Sequence, residues 1–454
     1  MTSTALAAPV RGNRVGMFGY YVYLGVLHLR RAPVLTALMV ITLGVGVAAS
    51  MATATILRAM SGDPIPSKSD RLFTPLLDLR PDDGSDPEPE PPSQLSHRDT
   101  VALKQAAKGV RQTGLYQVGP AVEGDQPGAA PIFLTGLAVH ADFFAMLDVR
   151  FAAGGPWSAA EDERAANVVV FSQSAADRLF GTAASAVGRT ATLEGKPFTV
   201  VGVLPDGWEP MPRFHRLIGG PGAFGDEYQI VVPFPTAIAR EMRAQGQQSC
   251  FSDVQPGYKN FIESECVWMS LWVELAKPGD AAAYRDFLAG YVAEQRKLGR
   301  FPRPDNQRLY DVTSWLALQK TVPSDRRLQT YLAFGFLLVC LVNTVGLLLA
   351  KFSARNGEIG VRRALGATRS AVFAQYLIEA GVVGLAGGVV GLALTRGALW
   401  FLARQSFETK HLAHLDLTMF AATFAAALGA SLLAGLLPTW RASRVTPAMQ
   451  LKAQ

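Results

Sequence analysis

Charged residues are scarce in this sequence, and the short motifs that mark common enzymes are missing. Charged residues make up 18% of the 454 residues, whereas about a quarter is usual in soluble domains. The sequence has no GxxxxGK[ST] motif and therefore no P-loop or self-contained ATPase. It also lacks GxSxG, HExxH and any GxGxxG placed after a strand pattern. We therefore expect no enzyme activity, no bound cofactor and no metal site in this chain.

Long apolar runs are few, and they lie toward the two ends of the chain. A membrane-spanning helix needs about 20 mostly apolar residues. Four runs are long enough, at residues 34–57, 328–350, 371–394 and 417–440. We expect the third helix to extend over 371–402. These runs exclude a purely soluble enzyme and predict a membrane protein with four transmembrane α-helices and a large α+β extracytoplasmic domain between helices 1 and 2.

The basic residues lie beside the predicted spans and indicate their orientation. The N-terminal segment 1–33 has four arginines and no acid, the loop 351–370 has five basic residues against Glu358, and the tail 441–454 has three basic residues and no acid. Short basic loops stay in the cytoplasm. Both termini and the 351–370 loop are therefore expected in the cytoplasm. This pattern accounts for the net charge of +6 without a nucleic-acid partner.

The region 58–327 alternates helix and strand patterns and has 33 acidic residues against 27 basic ones over 61–330. We predict that it is the extracytoplasmic domain. Its length is near the upper limit for one compact core, which favours two lobes. The apolar alternation over Leu309–Trp315 predicts a last strand before the second span.

Cysteine is rare, with three residues in the whole chain. Cys340 falls within the second predicted span and is explained as a small apolar residue. Cys250 and Cys266 fall in the extracytoplasmic region, where an oxidising environment favours a disulfide. Closing this loop would contribute on the order of 3 kcal/mol. Two free thiols remain the alternative.

The third predicted span carries two features that are uncommon in lipid-facing helices. Glycines form two small-xxx-small pairs, Gly384 with Gly388 and Gly387 with Gly391. Such pairs let helices pack closely, here against a helix of the same or a partner subunit. Glu379 lies about two turns into the span. A carboxylate at this depth is either part of a proton relay or a structural partner of an arginine.

The loop between spans two and three resembles a known family. Residues 351–380 read KFSARNGEIGVRRALGATRSAVFAQYLIEA, and the closing segment 437–448 reads LPTWRASRVTPA. Both are similar to the MacB/FtsX-type ABC transporter permeases, which carry an E-I-x-x-R-R-A-L-G-A motif followed by a Glu entering the third span. In 58–327 the resemblance to the MacB-like periplasmic core is looser and rests on segments such as 168–172, 178–181 and 198–204.

This resemblance implies a permease that dimerises, with itself or with a paralogue, and binds an ABC ATPase on the cytoplasmic side. Because 33 residues precede the first span, the ATPase is expected to be a separate polypeptide, and ATP is used there. A helix at about 356–366 would act as the coupling helix that docks into it. The residues expected to carry the coupling are Glu358, Arg362, Arg363, Leu365 and Gly366. The alternative for the charged residues among them is that they only set the topology.

The resemblance also limits the functions to be considered. We expect a permease in the bacterial inner membrane that transmits movement from the ATPase to its periplasmic domain and so drives export or efflux. A periplasmic adaptor is a further candidate partner, beside membrane lipids. The alternatives are ATPase-driven regulation of a cell-wall hydrolase and lipoprotein release.

Overall fold

The computed structural model describes residues 14–82, 90–124, 130–217, 222–405, 412 and 417–444. Parts of the predicted cytoplasmic segments, 1–13 and 445–454, lie outside the described residues. The chain divides into two compact units. One unit is Met60–Val322, and the other combines Met1–Ala59 with Pro323–Gln454.

The described residues form two short 3-10 helices, Phe214–Arg216 and Pro278–Asp280, and fifteen α-helices. In chain order they are α1 (Arg14–Arg31), α2 (Pro33–Met60), α3 (His97–Gln105), α4 (Asp142–Met146), α5 (Ala159–Glu163), α6 (Gln173–Phe180), α7 (Ala183–Ala186), α8 (Phe234–Ala239), α9 (Tyr258–Glu263), α10 (Ala281–Lys297), α11 (Val312–Leu318), α12 (Ser324–Ser353), α13 (Asn356–Ala364), α14 (Arg369–Gln405) and α15 (Leu417–Ser443).

Four of these helices are long and apolar enough to cross a membrane: α2, α12, α14 and α15. The four predicted spans fall inside them, and each helix is longer than its apolar run because polar end residues continue the helix. Pro33 is the first residue of α2, where its missing N–H has no intrahelical partner to lose. The predicted fold class, with four apolar helices and a large domain between the first two, is confirmed.

The unit Met60–Val322 is built on one mixed sheet. Its strands are β1 (Leu72–Leu76), β2 (Leu95–Ser96), β3 (Arg111–Val118), β4 (Ala121–Glu123), β5 (Ile132–Phe133), β6 (Gly136–Val139), β7 (Ala153–Gly154), β8 (Val168–Ser172), β9 (Thr190–Leu193), β10 (Lys196–Leu204), β11 (Ile230–Pro233), β12 (Val267–Glu274) and β13 (Arg308–Asp311). The order is β13-β1-β12-β3-β6-β11-β8-β10-β9-β4-β5, with β2 on β12 and β7 on β10. The pairs β6–β11 and β8–β10 are parallel, and the other pairs are antiparallel.

One expectation for this unit is wrong, whereas its division into two lobes stays a prediction. The strands β12, β3, β6 and β11 hydrogen-bond in succession through the middle of the unit. The predicted strand Leu309–Trp315 ends at Asp311, whose side chain accepts a hydrogen bond from the Ser314 N–H and caps α11.

A cluster of charged side chains is buried beside this sheet. Glu209 Oε2 lies 3.4 Å from Arg213 Nε, 3.1 Å from His215 Nε2 and 3.3 Å from Arg216 Nε, and all four side chains are at most 1% exposed. Glu209 Oε1 accepts a hydrogen bond from the Tyr228 N–H at 2.7 Å. Burial alone would raise the pKa of Glu209, but Arg216, His215 and Arg213 together hold it below its usual value. Glu209 is therefore the central anion of this cluster.

Candidate functional site

The helix α13 lies between α12 and α14, and its ends are set by its own sequence. Glu358 is in its first turn and Arg362 and Arg363 are in its last turn, which suits the helix dipole at both ends. Gly366 has φ +101°, a left-handed conformation that glycine adopts without steric cost. The Gly366 N–H bonds to Arg363 O at 3.2 Å and the Ala367 N–H bonds to Arg362 O at 3.1 Å. These two bonds form a Schellman motif that ends α13.

One face of α13 is buried against the long helices. Ile359 is 1% exposed and lies in an apolar core with Phe352 of α12, Tyr376 of α14 and Ala442 of α15. The rings of Phe352 and Tyr376 meet edge to face at 4.5 Å. Since this core contains side chains of all three helices, a displacement of α13 must move or break contacts with each of them.

Glu358 and Arg362 form the predicted i,i+4 pair, with 2.6 Å between Arg362 Nη2 and Glu358 Oε1. The same two residues also bond outside that pair. Glu358 Oε2 lies 3.1 Å from Arg355 Nη2, and Arg362 Nη1 donates to Gln375 Oε1 of α14 at 2.9 Å. The charges that the sequence assigned to docking therefore bind within the chain.

Glu379, a residue of α14, is buried beside the carboxyl end of α12. Its carboxylate lies 2.9 Å from Lys351 Nζ and 3.2 Å from Arg355 Nη1, and the side chain is 1% exposed. Of the two interpretations left open by the sequence, these contacts favour the structural partner of an arginine. Burial alone would lower the pKa of Arg355, but Tyr376, Glu379 and Glu358 together raise it.

Arg363, the remaining charged residue of α13, bonds to α15. Its Nη1 donates to the Ser443 carbonyl at the end of α15, at 3.2 Å. Two large apolar side chains of α13 and its C-terminal turn are exposed, Val361 at 57% and Leu365 at 83%. These two residues are four apart and share one face of the turn. We call Val361 and Leu365 the outer face of α13.

Sequence reasoning named Leu365 but missed Val361, Lys351, Arg355 and Gln375. The spacing of Val361 and Leu365 was a signal for the outer face, because two apolar residues at i,i+4 stand out in a basic loop. The partners of Glu379 carried no such signal, since Lys351 and Arg355 are more than twenty residues away in the sequence.

The glycine pairs of α14 face two different helices of the same chain. A methyl group added at Gly384 would lie 2.5 Å from Ser431 Cβ of α15, and Gly388 also faces α15. Gly387 and Gly391 face α2, where added methyl groups would lie 3.0 Å from Leu43 and 3.2 Å from Val47, respectively. Ser431 Oγ also donates to the Ala380 carbonyl of α14. Both pairs thus pack within one subunit.

The remaining predictions concern the three cysteines and metal binding. Cys250 and Cys266 are joined by a disulfide bond, and Cys340 is a buried free cysteine in α12. Among the described residues, no group of three or more His, Cys, Asp and Glu side chains is placed to hold a metal ion.

The arrangement of four apolar helices, a large domain after the first and a short helix between the second and third agrees with the sequence comparisons. Residues 36–289, more than half of the chain, match the MacB-like periplasmic core domain, and residues 331–447 match the FtsX-like permease C-terminal domain. The chain belongs to the MacB/FtsX family of ABC transporter permeases. The sequence-based resemblance is thereby confirmed, and α13 lies within the FtsX-like domain.

Curated relatives are longer proteins that contain the MacB/FtsX region as one part. The probable syringafactin export ATP-binding/permease protein SyfD of Pseudomonas syringae pv. tomato is 26% identical over 311 residues, which cover 68% of this chain and 40% of that protein. The macrolide export ATP-binding/permease protein MacB of Hyphomonas neptunium is 28% identical over 294 residues, covering 64% of this chain and 39% of that one. The chain thus spans about 40% of the length of these relatives.

Among solved structures, the periplasmic region of MacB from Actinobacillus actinomycetemcomitans is similar to part of this chain. The match covers 57% of this chain and 96% of that structure. Its TM-score is 0.36 and its sequence identity is 12%.

Proposed function

We propose that this chain is the permease subunit of an ABC transporter, and that it transmits movement from a separate cytoplasmic ATPase to its periplasmic domain to drive export or efflux. The observation that carries the proposal is the two-sided character of α13. Its inner face lies in one apolar core with side chains of α12, α14 and α15, and its outer face presents Val361 and Leu365. Exposed apolar side chains on a short helix suit insertion into a groove of a partner protein.

Each face of α13 has its own part in this mechanism. Val361 and Leu365 bury their apolar surface in the ATPase and fix α13 to it. When the ATPase closes, α13 moves and displaces the ends of α12 and α14, to which it is held by Arg355, Glu358 and Arg362. The helix α12 continues directly from the sequence of the large domain and carries the displacement to it. No solute crosses the bilayer in this scheme.

The remaining partners and the location follow from the family and the charges. We place the chain in the bacterial inner membrane with both termini in the cytoplasm, as the basic segments indicate. A second permease copy or a paralogue completes a dimer, and ATP is bound by the ATPase alone. A periplasmic adaptor is proposed as a partner for the case that the complex performs efflux. The name of the MacB relative states macrolide export for that protein.

Replacing Leu365 by aspartate, alone and together with Val361→Asp, is expected to remove the ATPase from the complex, because a charge on the outer face cannot be buried in an apolar groove. The measurement is affinity purification of the tagged chain from its own membranes in mild detergent, with mass spectrometry of the bound proteins. The control is Leu417→Asp at the start of α15, since Leu417 is also 83% exposed.

Recovery of a P-loop ATPase with the wild-type chain and with Leu417→Asp, but not with Leu365→Asp, would support the proposal. An adaptor in the same eluate would favour efflux, whereas a cell-wall hydrolase would favour regulation of that enzyme. Equal ATPase recovery with all variants would mean that the outer face is not the docking surface.

Replacing Gly366 by valine is expected to weaken coupling, because a β-branched residue is strained at φ +101° by about 1–3 kcal/mol. The Schellman motif would open and the position of Leu365 would change. The measurement is the stimulation of the ATPase by the permease in nanodiscs. Gly346→Val serves as the control, since among the described residues no atom outside the backbone of its own helix lies within 4 Å of a Cβ added to that glycine. Unchanged stimulation in the Gly366 variant would contradict the role assigned to this turn.

A further inference from the structure

One carboxylate joins the two long helices on either side of α13. Glu379 belongs to α14, and its closest cations are Lys351 near the end of α12 and Arg355 in the turn that leads into α13. Lys351 and Glu379 are only 3% and 1% exposed, so their charges are held together away from water. A buried carboxylate of this kind fixes the positions of its partners, because separating the charges would leave each of them unpaired.

Arg355 extends this link into α13. Its guanidinium lies 3.2 Å from Glu379 through Nη1 and 3.1 Å from Glu358 through Nη2, and it also lies over the Tyr376 ring at 5.6 Å. A planar guanidinium can bridge two carboxylates with fixed geometry. Glu358 then pairs with Arg362, which bonds to Gln375 of α14. Alternating charges therefore run from α12 through α14 to both turns of α13.

We infer that Glu379 is a positioning residue for coupling: by holding Lys351 and Arg355 at once, it makes α12, α13 and the start of α14 move as one body. The role of Glu379 in coupling rests on the proposed function, but the rigid link between the helices exists in the permease without an ATPase. It predicts that loss of Glu379 loosens α13 on α14, leaving the bond from Arg362 to Gln375, while the outer face, Val361 and Leu365, stays available to the ATPase.

A simpler explanation is that the buried charges only stabilise the fold. The two explanations differ for the double variant Lys351→Met with Glu379→Leu. Replacing a buried ion pair by apolar residues of similar size is often neutral for stability. If the charges only stabilise the fold, any faster exchange in this double variant comes with a lower melting temperature and is not confined to α13. If Glu379 positions α13, the double variant is as stable as the wild type but its α13 is released, because Arg355 has lost its anchor on α14.

The test is hydrogen–deuterium exchange of the full chain in nanodiscs, without any ATPase, for Glu379→Gln and for the double variant. Amides of 356–364 are expected to exchange about tenfold faster or more, the factor for losing one charge-assisted hydrogen bond. Glu294→Gln is the control, because it removes a carboxylate from a surface pair with Lys297 on α10 and leaves the charges around Glu379 in place. Thermal stability is measured in parallel.

Faster exchange of 356–364 in a double variant of wild-type thermal stability would support the inference. Wild-type exchange in that variant would overturn it, as would equal acceleration in Glu294→Gln. ATPase assays separate this result from the proposed function. With the double variant, the ATPase should still copurify but lose its stimulation by the permease. If no ATPase copurifies even with the wild-type chain, the proposed function fails, whereas the exchange result stands on its own.

Discussion

Replacing Glu209 by alanine is expected to lower the free energy of unfolding of the periplasmic domain by about 3–5 kcal/mol. The substitution removes the anion that faces Arg213, His215 and Arg216, and it leaves two always-charged guanidinium groups buried with too little compensation. It also removes the acceptor of the Tyr228 N–H. A loss of this size is a large fraction of the stability of a typical domain.

Denaturant unfolding of the full chain in detergent, followed by tryptophan fluorescence, measures this effect, since Trp208 is buried next to Glu209. The control is Glu263→Ala, because Glu263 is 60% exposed in its surface pair with Lys259 and such pairs contribute about 0–1 kcal/mol. A Glu209 variant as stable as the Glu263 variant would show that the arginines find other partners.

Replacing Gly384 by leucine is expected to be the most disruptive single change in the membrane unit. Even a methyl group would lie 2.5 Å from Ser431 Cβ, and a larger side chain must push α14 and α15 apart. Overpacking typically costs about 1–3 kcal/mol and occasionally more. Separation of the helices would also break the hydrogen bond from Ser431 to the Ala380 carbonyl.

Gly397→Leu is the matched control on the same helix, since the described structure has no atom within 4 Å of a Cβ added there. The measurement is the melting temperature of each variant by fluorescence-detected size exclusion after heating in detergent. The Gly384 variant should melt well below the wild type and the Gly397 variant close to it. If both variants shift alike, the effect belongs to glycine in a helix and not to the contact with Ser431.

The membrane part of the fold could be predicted because its signals are local. Four apolar runs define the four spans, and the basic segments suggest their orientation. In the large domain, individual strands such as Val168–Ser172 were visible as short apolar runs. The order of the strands in the sheet could not be predicted, because β12 pairs with β1 and β3, strands that lie more than 140 residues earlier.

In the candidate site, too, contacts between residues close in sequence could be predicted, whereas contacts between distant residues could not. The end of α13 at Gly366 could be predicted because helix termination depends on neighbouring residues. The sequence also assigned Arg363 to docking, yet its side chain bonds to the Ser443 carbonyl, 80 residues further along the chain. Composition could indicate that Glu379 needs a cation, but only the packing of α12 on α14 selects Lys351 and Arg355.

The disulfide bond between Cys250 and Cys266 makes it possible to determine on which side of the membrane the large domain lies. Such bonds form where thiols are oxidised and are lost in a reducing cytosol. The remaining cysteine, Cys340, is free. A denatured chain from intact cells therefore takes one maleimide mass tag if the large domain lies outside the cytoplasm, and three after reduction. Gel mobility alone can thus read the topology without a fusion protein or an added label site.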